Sequence, residues 1–317
     1  MIQRKNKLTA RVGIFAVGHN TYWSQFDGLL NNLLRYHAVF KEMVVENDVE
    51  VIDFGMVDSS LSGYATLEKM KGCNLDLLFC NMVTYATSSS FAPIIRGMDI
   101  PMVLVALQPL EGLDYSKACT FMQLENDNIC SVPEFTGVAV RMGKKISDVI
   151  IGTLYNDNRA REEIRMWCGI ARVLHDLKGA RIGLMGHVLE AMYDMHADPT
   201  AISAAFGIHV PLLEIDNVIE LYNTVTNEEI ERKKTVIRQE FDMPEPESDP
   251  VTVKLTDEDL HQAAKTAVAL DKLVDKYKLT GLAYYYEGME DSIHRLIASS
   301  FIVGNSLLIA QGVPMCG

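Results

Sequence analysis

Apolar residues along this chain fall into two alternating rhythms. Short, mainly apolar runs occupy 11–17 (RVGIFAV), 75–81 (LDLLFCN) and 101–107 (PMVLVAL), with a mixed run at 49–54 (VEVIDF). Each is too short for a typical helix and reads as a strand, the first of them buried. Between them the apolar spacing changes to a helical period. At 23–45 the stripe holds Phe26, Leu29, Leu33, His37, Phe40 and Val44, and 61–71 and 92–96 also read as helical. Strands alternating with helices predict a parallel sheet with right-handed crossovers.

The rhythm loosens from Gln108 to Gly143, where periodic stretches are few. A long irregular region inside a compact enzyme is more often functional than decorative. A strong amphipathic helix follows at 158–176, and Lys178-Gly179 ends it. A second alternating run then begins. Strands are expected at 180–185 (ARIGLM), 209–213 and 279–286, and helices at 200–206, 218–223, 256–277 and 293–311. Thr256 is the expected N-cap of its helix, with Asp259 at the third helical position. Gly312-Val313-Pro314 stops the last helix, and 241–250 (FDMPEPESDP) reads as an exposed acidic break. The expected fold is α/β, with two consecutive doubly wound, flavodoxin- or Rossmann-like domains at 1–177 and 178–317.

Composition narrows the function. The net charge is −13, and no Lys/Arg cluster is longer than Arg232–Lys234. Nucleic-acid binding needs cationic surface to displace counterions from phosphates, so that class is not expected. The six cysteines form no CxxC pair and read as free thiols in a reducing, cytoplasmic setting. No apolar run reaches the length that spans a bilayer, and the polar, basic start at 1–10 does not read as a signal peptide.

In doubly wound sheets, ligands bind outside the carboxyl ends of the strands. That rule selects Gly18-His19-Asn20-Thr21-Tyr22-Trp23, the segment 81–87 with Thr84, Gln108-Pro109, Gly186-His187, and Glu287-Gly288-Met289-Glu290-Asp291. Together they offer the hydroxyl, amide, imidazole and aromatic groups that a polyol requires. Neither first turn of the two domains carries GxGxxG, and no Walker A sequence exists, so a bound nucleotide is not expected. Ser88-Ser89-Ser90 is not a nucleophile elbow. His37 and His175 read as structural; His19 and His187 follow strands and are the better site candidates. Glu287, Glu290, Asp291 and His294 cluster after the last strand. They suit a hard divalent cation such as Mn²⁺, but on the residues alone the favoured reading is a solvated helix start where acids favour the dipole.

Two sets of segments resemble a known family. Leu107-Gln108-Pro109-Leu110-Glu111-Gly112-Leu113-Asp114-Tyr115 and Ser131-Val132-Pro133-Glu134-Phe135-Thr136-Gly137 look like the first domain of the L-arabinose/L-fucose isomerase family. Tyr284-Tyr285-Tyr286-Glu287-Gly288, Ile302-Val303-Gly304-Asn305-Ser306-Leu307-Leu308 and Gly312-Val313-Pro314-Met315-Cys316-Gly317 look like the end of its central domain.

The resemblance implies aldose–ketose isomerisation of a monosaccharide through a cis-enediol. A divalent metal, usually Mn²⁺, binds two adjacent sugar oxygens while carboxylates move the proton. It places the first acidic ligand at Glu290, with Glu287 the alternative, and Glu290 as the catalytic carboxylate. Tyr22, Trp23, Thr84, Gln108 and His187 are the substrate-binding candidates. It further implies a homo-oligomer, a trimer or hexamer, in which the mouth of the first domain caps a neighbouring subunit's site. The family's second acid and its histidines fall beyond Gly317, so a truncated or split form is expected. The alternative is a non-catalytic sugar-binding or assembly module derived from the same family.

Overall fold

The computed structural model describes residues 2–3, 9–189, 191–243, 256–286 and 289–317. Most of the basic start and residues 244–250 of the acidic break therefore lie outside the described residues. The chain divides into two compact units, Leu8–Asp176 and Leu177–Gly317, the latter joined by the N-terminal residues.

In the Leu8–Asp176 unit, β1 (Arg11–Val17) is followed by a 3₁₀ turn, Asn20–Tyr22, and α1 (Leu29–Val45). Next come β2 (Glu50–Val57), α2 (Ser60–Lys71), β3 (Leu77–Met82), α3 (Ser88–Gly97) and β4 (Met102–Gln108). The unit closes with α4 (Thr120–Glu125), α5 (Val132–Arg141), β5 (Asp148–Thr153) and α6 (Asn158–Gly179), whose last turn runs into the second unit. The sheet order is β2-β1-β3-β4-β5, with every pair parallel.

The apolar runs of β3 and β4 are explained by two cores. Leu78, Cys80 and Met82 of β3, with Leu104 and Ala106 of β4, pack against one layer that includes Phe91 and Phe135. The intervening Leu77, Phe79, Val103 and Val105 pack against Phe40, Ile164 and Cys168 on the other face. Alternate side chains of a strand point to opposite faces, so helices on both sides bury every position. Phe91 and Phe135 stack at 4.5 Å between α3 and α5.

The second unit contains β6 (Ile182–Gly186), a 3₁₀ turn Tyr193–Met195, α7 (Pro199–Phe206), β7 (Leu212–Leu213) and α8 (Ile215–Tyr222). It continues with α9 (Asn227–Glu240), α10 (Asp257–Tyr277), β8 (Gly281–Tyr285), α11 (Ile293–Ser299), α12 (Phe301–Ala310) and β9 (Met315–Cys316). Its sheet order is β7-β6-β8-β9, again all parallel. Thr256 caps α10 as its sequence suggests: its hydroxyl accepts from Asp259 N, and the Asp259 carboxylate accepts from Thr256 N at 2.7 Å. Gly304 lets α12 approach α10, because a Cβ there would lie 3.1 Å from Ala267 Cα.

Three expectations differ from the structure. The first helix starts at Leu29, not 23, because Gly28 takes φ +82° and resets the chain after the 3₁₀ turn. The irregular region 108–143 contains α4 and α5. The final helix is two, bent by 41° between α11 and α12. No single helix among the described residues is long and apolar enough to cross a membrane.

Candidate functional site

The β2-β1-β3 order puts the topological switch point at the carboxyl ends of β1 and β3, where an open α/β sheet leaves a crevice. After β1 the chain is tied to the end of β2. Gly18 N donates to Val57 O and Asn20 N to Asp58 O, both at 3.2 Å. The Trp23 indole N–H donates to Asp58 Oδ2 at 2.8 Å, and its ring lies so close over Gly18 that a Cβ there would be 2.9 Å from it. Trp23 is thus a latch for the turn, with its one polar group already bound.

After β3 the backbone is clamped by the segment 124–131. Asn128 donates its side-chain amide to Met82 O at 2.7 Å, and Ser131 Oγ bonds both the N–H and the C=O of Ala86. Thr84 is fully buried and donates to Leu124 O at 2.7 Å. Its hydroxyl is therefore spent on the clamp and does not reach solvent. These bonds convert the aperiodic stretch into a cover over the end of β3.

Between latch and cover lies a group of rings and acids. His19 meets Tyr22 edge-on at 5.1 Å and Tyr85 at 6.2 Å. His19 Nδ1 is buried and has no hydrogen-bond partner among the described residues. Burial pushes the Tyr22 hydroxyl above its ordinary range, and the neighbouring Tyr85, Asp127 and Cys130 push it the same way. Burial also raises the Asp127 carboxyl, against the opposing effect of its hydrogen bond with the Cys130 thiol. The structure thus brings Tyr22 together with His19, Tyr85, Asp127 and Cys130. Asp127 and Cys130 went unselected in the sequence because they reach the crevice from the cover, not from a strand end. Gln108 ends β4 on the same carboxyl edge, half-buried, with its main-chain oxygen accepting from Leu154 N.

No family model matches the chain, and no curated protein matches it.

In the second unit, Gly186 ends β6 at φ +80°, and a Cβ there would lie 2.1 Å from Tyr285 O. That close approach sets His187 against Tyr285, ring to ring at 5.2 Å, with His187 Nδ1 3.0 Å from Val188 O. Glu290 stands exposed in the turn before α11, while Glu287 lies outside the described residues. Asp291 and His294 do not act as a pair. Asp291 lines an open depression of about 550 Å³ with Ser292, Ile293, Arg295, Leu296 and Ser299, whereas His294 Nε2 reaches Asp216 at 2.9 Å. Among the described residues no group of three or more His, Cys, Asp or Glu side chains converges. A resident divalent cation needs several such donors, so the described residues do not by themselves fit one.

Proposed function

We propose that this chain binds a monosaccharide as part of an aldose–ketose isomerase of the L-arabinose/L-fucose isomerase type. The observation that carries the reading is the grouping of His19, Tyr22, Tyr85 and Asp127 at the carboxyl ends of β1 and β3, with a buried His19 nitrogen that no described residue satisfies. An unpaired buried polar atom costs about 1–3 kcal/mol, and a ligand hydroxyl would recover it. Aromatic rings beside hydrogen-bonding groups suit a sugar, whose C–H faces are apolar and whose rim is polar. In this reading Glu290 is the chain's contribution to a Mn²⁺ site whose other ligands come from outside the described residues, and the working form is a homo-oligomer, a trimer or hexamer.

The test is ligand-observed NMR of L-arabinose and L-fucose with the purified chain, followed by ketose detection after adding Mn²⁺. Binding that is lost in Tyr22→Ala and His19→Ala supports the sugar site, with negligible ketose formation expected from this chain by itself; robust ketose formation would refute an incomplete metal site. No binding of either sugar sinks the sugar reading.

A further inference from the structure

Helices of a folded domain bury an apolar face, and α7 does not. None of its residues is buried against the described residues, although Pro199, Ala201, Ile202, Ala204, Ala205 and Phe206 are apolar and none of the helix is charged. Eight residues are too few for a helix to persist in water by propensity alone. Its apolar surface therefore calls for a cover. That surface continues on both sides of α7. Met192, Tyr193 and Met195 around the preceding 3₁₀ turn and Leu212 of β7 are also exposed, Tyr193 by 86% and Leu212 by 74%. β7 forms an edge of its sheet and runs parallel to β6, so α7 returns along that edge from the carboxyl end of β6 to the amino end of β7. Pro211 offers no N–H at this edge, so a partner meets it through side chains and not by adding a strand.

We propose that a second copy of this chain docks here, α7 against α7 across a two-fold axis, with Tyr193 and Phe206 as anchors. Size and charge select that occupant. Met192, Tyr193, Met195, Phe206 and Leu212 are each about half or more exposed, which leaves on the order of 500 Å² of apolar surface. A folded monomer rarely leaves that much open. Interfaces are about 60% apolar, so such a face fits a contact of about 800 Å² per partner, the standard size for a specific pair. From 199 to 213 the sequence holds no Asp, Glu, Lys or Arg, in a chain of net charge −13. Two copies of so acidic a chain repel each other over most of their surface. Along this stretch they meet without setting charge against like charge. A two-fold contact requires only that one face be complementary to itself, which an uncharged apolar helix satisfies. The contact belongs to the second unit and rests neither on the isomerase reading nor on the mouth of the first unit.

Sedimentation velocity and light scattering of the full chain, from sub-micromolar to tens of micromolar concentration, test the contact without any ligand. The expected result is an even number of copies, with Phe206→Glu and Ala204→Glu each halving the mass. Tyr193→Ala, which adds no charge, should raise the dissociation constant roughly tenfold or more. Val140→Glu, at a 74% exposed apolar site in the first unit, should leave the mass unchanged. The three second-unit positions are exposed, so their substitution opens no core, and circular dichroism checks that each variant stays folded. Should a glutamate variant fail to fold, Tyr193→Ala still decides the matter. A wild-type monomer throughout the range overturns the proposal, and the face then covers a different protein. A mass unchanged in both glutamate variants, or a dissociation constant unchanged in Tyr193→Ala, also overturns it and places the contact between copies elsewhere. Each of these results holds whether or not the chain binds a sugar.

Discussion

The fully buried Thr84 hydroxyl donates a hydrogen bond to the carbonyl oxygen of Leu124 at 2.7 Å. One side chain at the end of β3 thereby holds down the cover of the crevice. Removing the hydroxyl while keeping the shape, as in Thr84→Val, leaves that carbonyl unpaired. We expect a loss of about 1–3 kcal/mol in urea unfolding. We also expect weaker sugar binding, since Tyr22 and Asp127 then lose their fixed separation. Unchanged unfolding midpoint and binding would show that the cover does not depend on this bond.

Acid should act through Asp53. Its carboxylate accepts from His37 Nε2 at 3.1 Å and from Gly55 N at 2.9 Å, and these partners hold its pKa well below the usual carboxylate range. His37 is in turn bonded to Asn81 on β3. A depressed folded-state pKa gives stability that is fully present above the unfolded value, about 4, and is lost as pH falls through the folded value. Unfolding free energy should therefore fall below pH 4 more steeply for wild type than for Asp53→Asn. Parallel pH curves for the two proteins would contradict this.

Thiol labelling should split the cysteines. Burial drives Cys168 to about 12 and Cys80 well above the ordinary thiol range, so neither presents a thiolate at neutral pH. Cys119, Cys130 and Cys316 are exposed. Mass spectrometry after brief iodoacetamide treatment should find Cys119 and Cys316 modified first, with Cys130 slower because burial and Asp127 raise its thiol pKa. Cys80 and Cys168 should react only in denaturant.

Gly186→Ala tests the second unit. A methyl group there would sit 2.1 Å from Tyr285 O on a backbone already at φ +80°. The β6–β8 pairing must shift or the strain must be borne, at a cost of order 1–3 kcal/mol. The His187–Tyr285 contact should be lost with it, visible as a change in the His187 ring proton shifts. A neutral Gly186→Ala variant would mean that the strand end is looser than its geometry implies.

Much of this architecture was legible in the sequence because burial on both faces leaves an unmistakable mark. β1, β3 and β4 are near-continuous apolar runs for that reason. β5 carries only one fully buried residue, Ile150, because it forms the sheet edge, so its pattern fades. α9 was missed because Ile230 and Ile237 are its only buried apolar residues on an otherwise charged surface. In the site, Tyr22 followed from the strand-end rule. Trp23 and Thr84 followed too, but a sequence does not show which polar atoms a fold consumes internally. Asp127 and Cys130 were invisible because the bonds that bring them in are long-range.

Those clamping bonds join residues 40, 45 and 46 positions apart. During synthesis, His19 and Tyr22 leave the ribosome long before the segment that will roof them. The crevice is therefore among the late events of folding in its unit, since closure entropy must be met before such distant contacts reward it. Equally, it is where native-state opening should begin, and a bound sugar would slow hydrogen exchange first at Met82–Ala86 and at 124–131.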